Sequence, residues 1–127
     1  MKILSLSFKI NTDPDILYKA LVTPQTIELW TGYPAIMSET PGSSFEWLDG
    51  DVVGKNLEFD PGKMIKQQWF FGDENKPSIV TLTLHPQSND KTLVELNQTN
   101  IPDEAFENIK YGWKKIIMAS LKDFFAT

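Results

Sequence analysis

Only one stretch of this chain can form a long helix, and it is the last quarter, Pro102 to Phe125. Asp103, Glu104 and Glu107 place negative charge in its first turns, and Lys114, Lys115 and Lys122 follow toward its end, the distribution a helix dipole favours. On a helical wheel, Phe106, Ile109, Trp113, Ile116, Ile117, Leu121 and Phe124 fall on one broad apolar arc. Glu104, Asn108, Lys115 and Lys122 occupy the other side. A helix with so much aromatic bulk on one face needs a large concave partner. Everything upstream reads as that partner, a curved antiparallel sheet.

The first strand runs from about Lys2 to Ile10, where Leu4, Leu6 and Phe8 alternate with Ser5, Ser7 and Lys9. Asn11-Thr12-Asp13-Pro14 breaks it and starts a short helix, with Thr12 or Asp13 as cap and Ile16, Leu17, Ala20 and Leu21 as the apolar face. Thr23-Pro24 starts a second short helix whose Ile27 and Trp30 point inward. From Tyr33 to Gln98, turns come at short intervals: Pro41-Gly42, Asp49-Gly50, Pro61-Gly62, Gly72 to Pro77 and Ser88-Asn89-Asp90. They separate strand-like runs at Ala35 to Ser38, Ser43 to Leu48, Asp51 to Phe59, Lys63 to Phe71, Ser78 to Pro86 and Lys91 to Thr99. With the first strand, that predicts about seven. Alternation places Phe45 with Trp47, Leu57 with Phe59, Ile65 with Trp69, and Val80, Leu82 and Leu84 with Val94 and Leu96 on the inner face.

At 127 residues the chain reads as one domain over 1–127, with a single substantial core. Its net charge of −5, without a basic run, argues against nucleic acid and against an anionic membrane surface. The absence of cysteine excludes disulfides and thiolate metal sites, and the single histidine, His85, has no partner to build a metal centre. No metal and no cofactor are expected. No apolar run approaches membrane-spanning length, and the alternating N-terminal residues are a strand rather than a signal peptide. A cytoplasmic location is the default.

Strand, two short helices, six strands and a long final helix is an order that resembles the helix-grip fold of the START-like (SRPBCC) superfamily. Tyr18-Lys19-Ala20-Leu21-Val22-Thr23-Pro24 followed by Leu29-Trp30, then Pro41-Gly42 before Phe45, and Gly54 in the fourth strand narrow it. So do Lys66-Gln67-Gln68-Trp69, Ser78-Ile79-Val80-Thr81, Lys91-Thr92-Leu93-Val94 and above all Tyr111-Gly112-Trp113. Together they are similar to the subgroup named after the activator of the ninety-kilodalton heat-shock protein's ATPase. The resemblance implies an α+β helix-grip architecture and a cavity between sheet and helix. It also implies a chaperone, in a stress response, or a second copy of the chain as a candidate partner.

The expected cavity residues are Trp30, Phe45, Trp47, Phe59, Gln67, Trp69, Leu82, Gln98, Phe106, Ile109, Lys110, Trp113 and Ile117. The tryptophans can line a pocket for an apolar ligand or fill it. Gln67 and Gln98 need partners if buried: each other, water or a ligand. Lys110, inside the apolar arc, either binds an anionic head or carries its ammonium out to water on a buried stem. Gly112 costs a helix about 1 kcal/mol relative to alanine, so close approach to the sheet is expected there. On that expectation Gly112→Ala lowers stability. The leading functional reading is a non-enzymatic module holding a small hydrophobic or amphipathic ligand. A chaperone-associated interaction domain is the alternative, and a cyclase- or hydrolase-type enzyme the third. The third is weakest, because Gln67, Gln98, Glu46 and Glu58 supply no convincing general base.

Overall fold

In the computed structural model of the chain, which describes residues 1–72 and 76–126, the elements follow the expected order. Strand β1 (Lys2–Ile10) leads to α1 (Pro14–Val22) and α2 (Pro24–Thr31), followed by β2 (Ser44–Trp47), β3 (Val52–Asp60), β4 (Met64–Trp69), β5 (Ser78–Gln87) and β6 (Lys91–Ile101). The C-terminal helix has four parts: a 3₁₀ turn (Asp103–Ala105), α3 (Phe106–Tyr111), a π-helical segment (Gly112–Ile117) and α4 (Met118–Phe124). The strands form one antiparallel sheet in the order β1-β6-β5-β4-β3-β2. The turn expected over Gly72 to Pro77 lies partly outside the described residues.

The sheet has six strands where seven were expected. The run Ala35 to Ser38 contributes only one bridge, Ile36 to Glu46. Its ladder stops because the next available acceptor, the Ser38 carbonyl, is taken by the Asn56 amide and the Ser43 hydroxyl. A second departure lies in β3. Asn56 pairs with Gln67 and Glu58 with Lys66, so Leu57 is an extra residue with no opposite number. That bulge turns Leu57 out of phase with Phe59, which pairs with Ile65 and packs on the core. The same phase change places the fully buried Asn56 inside.

Capping and burial explain the short helices. Asp13 caps α1 by accepting the Ile16 N–H at 2.9 Å, and Pro14 needs no donor in the first turn. Leu17, Tyr18 and Leu21 are buried, whereas Ile16, expected inward, is half exposed. Buried Tyr18 donates its hydroxyl to Glu39 at 2.6 Å. Burial first, and the Glu39 carboxylate second, push its phenol pKa far above the ordinary value.

The C-terminal helix departs most from its wheel. Met118 donates its N–H to the Trp113 carbonyl five residues back, so Met118 joins Trp113 on the inner face. Trp113, Ile117, Met118 and Leu121 are buried, while Ile116 and Phe124, expected on the apolar arc, are each 40% exposed. Gly112 also contradicts its expectation. A Cβ added there meets nothing within 4 Å, so no close approach of helix to sheet requires the glycine. The glycine with no room is Gly54, where a Cβ would fall on the Gln68 carbonyl oxygen and lie 2.7 Å from the Phe45 ring.

Candidate functional site

The interior beneath the helix is filled by aromatic side chains in two groups. Trp30 and Trp47 meet edge to face with ring centres 6.1 Å apart, and Phe45 meets Trp47 at 5.6 Å. Across the core, Trp69 of β4 and Trp113 of the π segment stack at 4.9 Å with planes 19° apart. Each buried indole contributes on the order of 5 kcal/mol through about 200 Å² of surface removed from water. That exceeds the ~0.5–1.5 kcal/mol of a ring pair, so burial rather than stacking holds them inside.

Two glutamines set the orientation of the stacked pair. Gln67 accepts the Trp69 indole N–H at 3.1 Å and donates to Asn56 at 3.2 Å. Gln98 accepts the Trp113 indole N–H at 2.8 Å and donates to Ser78, which in turn donates to the Thr99 carbonyl at 2.7 Å. The two glutamines flank Val80 in one row of the sheet, which brings the two clamps side by side. They do not bond to each other. Trp30 donates to the Ala20 carbonyl at 2.9 Å, and among the four tryptophans only Trp47 keeps a buried N–H without a partner. An unmet buried donor costs roughly 1–3 kcal/mol, less than the burial of the ring, so Trp47 stays inside despite it.

A groove lies over one side of the stacked pair, with Trp113 fully buried beneath it and Trp69 5% exposed. It has a volume of about 420 Å³ and opens between the C-terminal helix and the β2–β3 turn. Trp69 and Trp113 form its base, and Asn108, Ile109, Gly112, Ile116 and Ile117 form its helix wall. Leu48, Asp51 and Val52 form the wall opposite. The β2–β3 turn stands there because Leu48, Asp49 and Gly50 all take positive φ, 55°, 55° and 88°. Asp49-Gly50 made the turn legible in the sequence.

Of the thirteen expected cavity residues, Trp69, Ile109, Trp113 and Ile117 border this groove. Trp30, Phe45, Trp47, Gln67, Leu82 and Gln98 are buried and do not border it, and Phe59 is half-buried against the core. Phe106 lies half-buried under the Lys2 ammonium, 4.9 Å from the ring centre. Lys110 borders a separate depression with Glu107, Tyr111, Lys114 and Lys115. Glu46 and Glu58 lie on the sheet's other face, where Glu58 meets the Lys66 ammonium at 3.6 Å. His85 sits 3.2 Å from Glu95 at a half-exposed position. Among the described residues, no three metal-binding side chains converge and no helix is long and apolar enough to cross a membrane.

Asn56 and Ser78 escaped the sequence reading; Asp51 was read only as a turn residue, and Asn108, expected opposite the apolar arc, lies instead on the groove's helix wall beside Ile109. Asn56 carried one signal, its place two residues after Gly54 in a strand, but the bulge beyond it disguised which face it takes.

Residues 11–126 match the family model described as "Activator of Hsp90 ATPase homolog 1-like protein". An activator of 90 kDa heat shock protein ATPase homolog from Dictyostelium discoideum is 29% identical over 127 residues, 98% of this chain and 33% of that protein. The Homo sapiens activator of 90 kDa heat shock protein ATPase homolog 1 is 27% identical over 115 residues, 90% of this chain and 34% of that protein. The chain thus spans about a third of the length of the curated relatives it matches. The crystal structure of an HSP90 activator from Plasmodium falciparum superposes with a TM-score of 0.88 at 21% identity, covering 98% of this chain and 96% of that one. The solution structure of the Aha1 dimer from Colwellia psychrerythraea gives 0.84 at 19%, covering 98% and 96%. These two likenesses establish the helix-grip fold.

Proposed function

As the chain belongs to the Activator of Hsp90 ATPase homolog 1-like family, we propose that it is a single helix-grip module, cytoplasmic and non-enzymatic, that docks on an Hsp90-type ATPase. The observation that carries this reading is the family match over residues 11–126, joined to relatives whose names describe activators of that ATPase. The filled interior supports it. The Trp69 and Trp113 indole N–H groups are already bonded to Gln67 and Gln98, which leaves the Trp47 N–H as the one buried indole donor without a partner. Exposed Leu29, Tyr33, Ile36, Tyr111 and Ile116 leave apolar surface for a protein partner.

The test is calorimetric titration of a purified Hsp90-class ATPase with this chain, followed by its ATP turnover with and without the chain. Association is the first readout, because the chain corresponds to a third of its longer relatives. Saturable heat of binding is expected. No association, with unchanged ATP turnover, sinks the reading.

The groove favours a second reading, in which a small apolar or amphipathic molecule lies against Trp69, Ile109, Trp113 and Ile117. Its volume of about 420 Å³ falls within the roughly 300–1,000 Å³ usual for such sites. Native mass spectrometry of the purified chain checks it: a stoichiometric co-purifying molecule supports it, and only bare protein goes against it.

A further inference from the structure

Gly112 is a helical glycine that the chain's own packing does not require. It stands beside Trp113, at the start of the π segment, and a Cβ there meets nothing within 4 Å. What a side chain at position 112 would occupy is the groove itself. The π segment acts in the same sense, since insertions of this kind are frequent at functional sites. Here it pairs Met118 rather than Ile116 with the inner face, and Ile116 is left 40% exposed on the groove's lip.

Two polar residues, Asp51 and Asn108, line the groove. Asp51, exposed on the β2–β3 turn, has no ion-pair partner among the described residues, and Asn108 across from it makes no side-chain hydrogen bond among them. No lysine borders the groove. An aromatic base held rigid by two glutamine clamps, aliphatic walls and an unpaired carboxylate at the rim have the anatomy of an anchor pocket at a protein interface.

We infer that this groove receives an apolar side chain of a partner protein, one flanked by an arginine or lysine that pairs with Asp51. The inference rests on the docking function proposed above and names the surface that performs it. The carboxylate and the chain's net charge of −5 select a basic neighbour. The same charge disfavours a second copy of this chain as occupant.

Two capped dipeptides, N-acetyl-Phe-Arg-amide and N-acetyl-Phe-Glu-amide, probe the groove of the whole chain by two-dimensional NMR. Expected are shifts centred on the Gly112 amide and the Trp69 and Trp113 indole N–H signals, with the Arg peptide bound roughly two- to fivefold more tightly, as suits a solvent-exposed charge pair. Gly112→Leu should fill the groove and remove binding while signals elsewhere stay in place. Asp51→Lys, an exposed turn substitution, should reverse the order of the two peptides. Shifts outside the groove, an unchanged order in Asp51→Lys, or parent-like binding by Gly112→Leu would each overturn the inference. So would indole shifting the groove while neither peptide does, which assigns it to a small molecule instead.

Titration of the Hsp90-class ATPase with the same variants separates the two proposals. Peptide preference without any chaperone binding by the parent sinks the proposed function alone. Chaperone binding that Gly112→Leu leaves intact sinks the groove alone.

Discussion

Trp69 stands between two glycines that answer to opposite pressures. On the sheet side, Gly54 faces it directly across the β3–β4 ladder, in a space where even one methyl group would strike the Gln68 carbonyl and the Phe45 ring. On the helix side, Gly112 borders it across an open groove. The residue type is the same, and an irregularity lies close to each, the Leu57 bulge after Gly54 and the π segment that Gly112 opens. One glycine exists because backbone must pass close to backbone; the other leaves space that none of the described residues fills. The closed side of the grip therefore reports on packing, and the open side on the space that the proposed partner side chain would take.

The largest test of this contrast is Gly54→Ala. The clash is with backbone, which cannot swing aside as a side chain can, so a loss of about 3 kcal/mol is expected, at the upper end of ordinary overpacking. Urea denaturation with an unchanged slope measures it. A loss below about 1 kcal/mol would mean β3 and β4 separate easily, and the closed side would not be closed.

Gln98→Leu asks whether the open side is also rigid. It leaves the Trp113 indole N–H buried without an acceptor and removes the donor to Ser78, at an expected cost of about 1–3 kcal/mol. Thermal melting gives the loss, and Trp113 fluorescence shows whether the ring still stacks on Trp69. Full stability with unchanged emission would show that packing alone orients the ring, as it does for Trp47, whose N–H has no partner.

The smallest expected effect has the opposite sign. Gly112→Ala should stabilise the chain by up to about 1 kcal/mol, because helix propensity rises and the new methyl meets no atom. A lower melting temperature would erase the difference between the two glycines. It would also restore the expectation, drawn from sequence, of a tight helix–sheet contact.

Much of the architecture was legible because it depends on local rules. Alternation placed Val80, Leu82, Leu84, Val94 and Leu96 inside, as found. Asp49-Gly50 marked the hairpin, and Asp13-Pro14 the start of α1. The inward placement of Gln67 and Gln98 followed from the same period-two pattern, though their partners did not. Partner choice depends on which strands lie side by side and on where Trp113 enters from the far end of the chain. Nothing within a few residues of Gln98 announces an indole fifteen positions later.

What the sequence determined by itself was the period of each segment, hence the order of elements, the inner face of most strands and the burden of aromatic bulk on the last helix. Periodicity is a property of neighbouring residues, and burial follows from it wherever the period holds. Tertiary structure decided where the period breaks. The extra residue at Leu57 and the bond from the Met118 N–H to the Trp113 carbonyl each shift the phase between the residues on their two sides. They turn Asn56 inward and Ile116 outward against a wheel or an alternation that assumes one uninterrupted register. That second break and the missing Cβ at Gly112 both lie on the wall of the groove. A lone glycine in a sequence looks the same whether the space beside it is crowded or empty; only the packed molecule shows which.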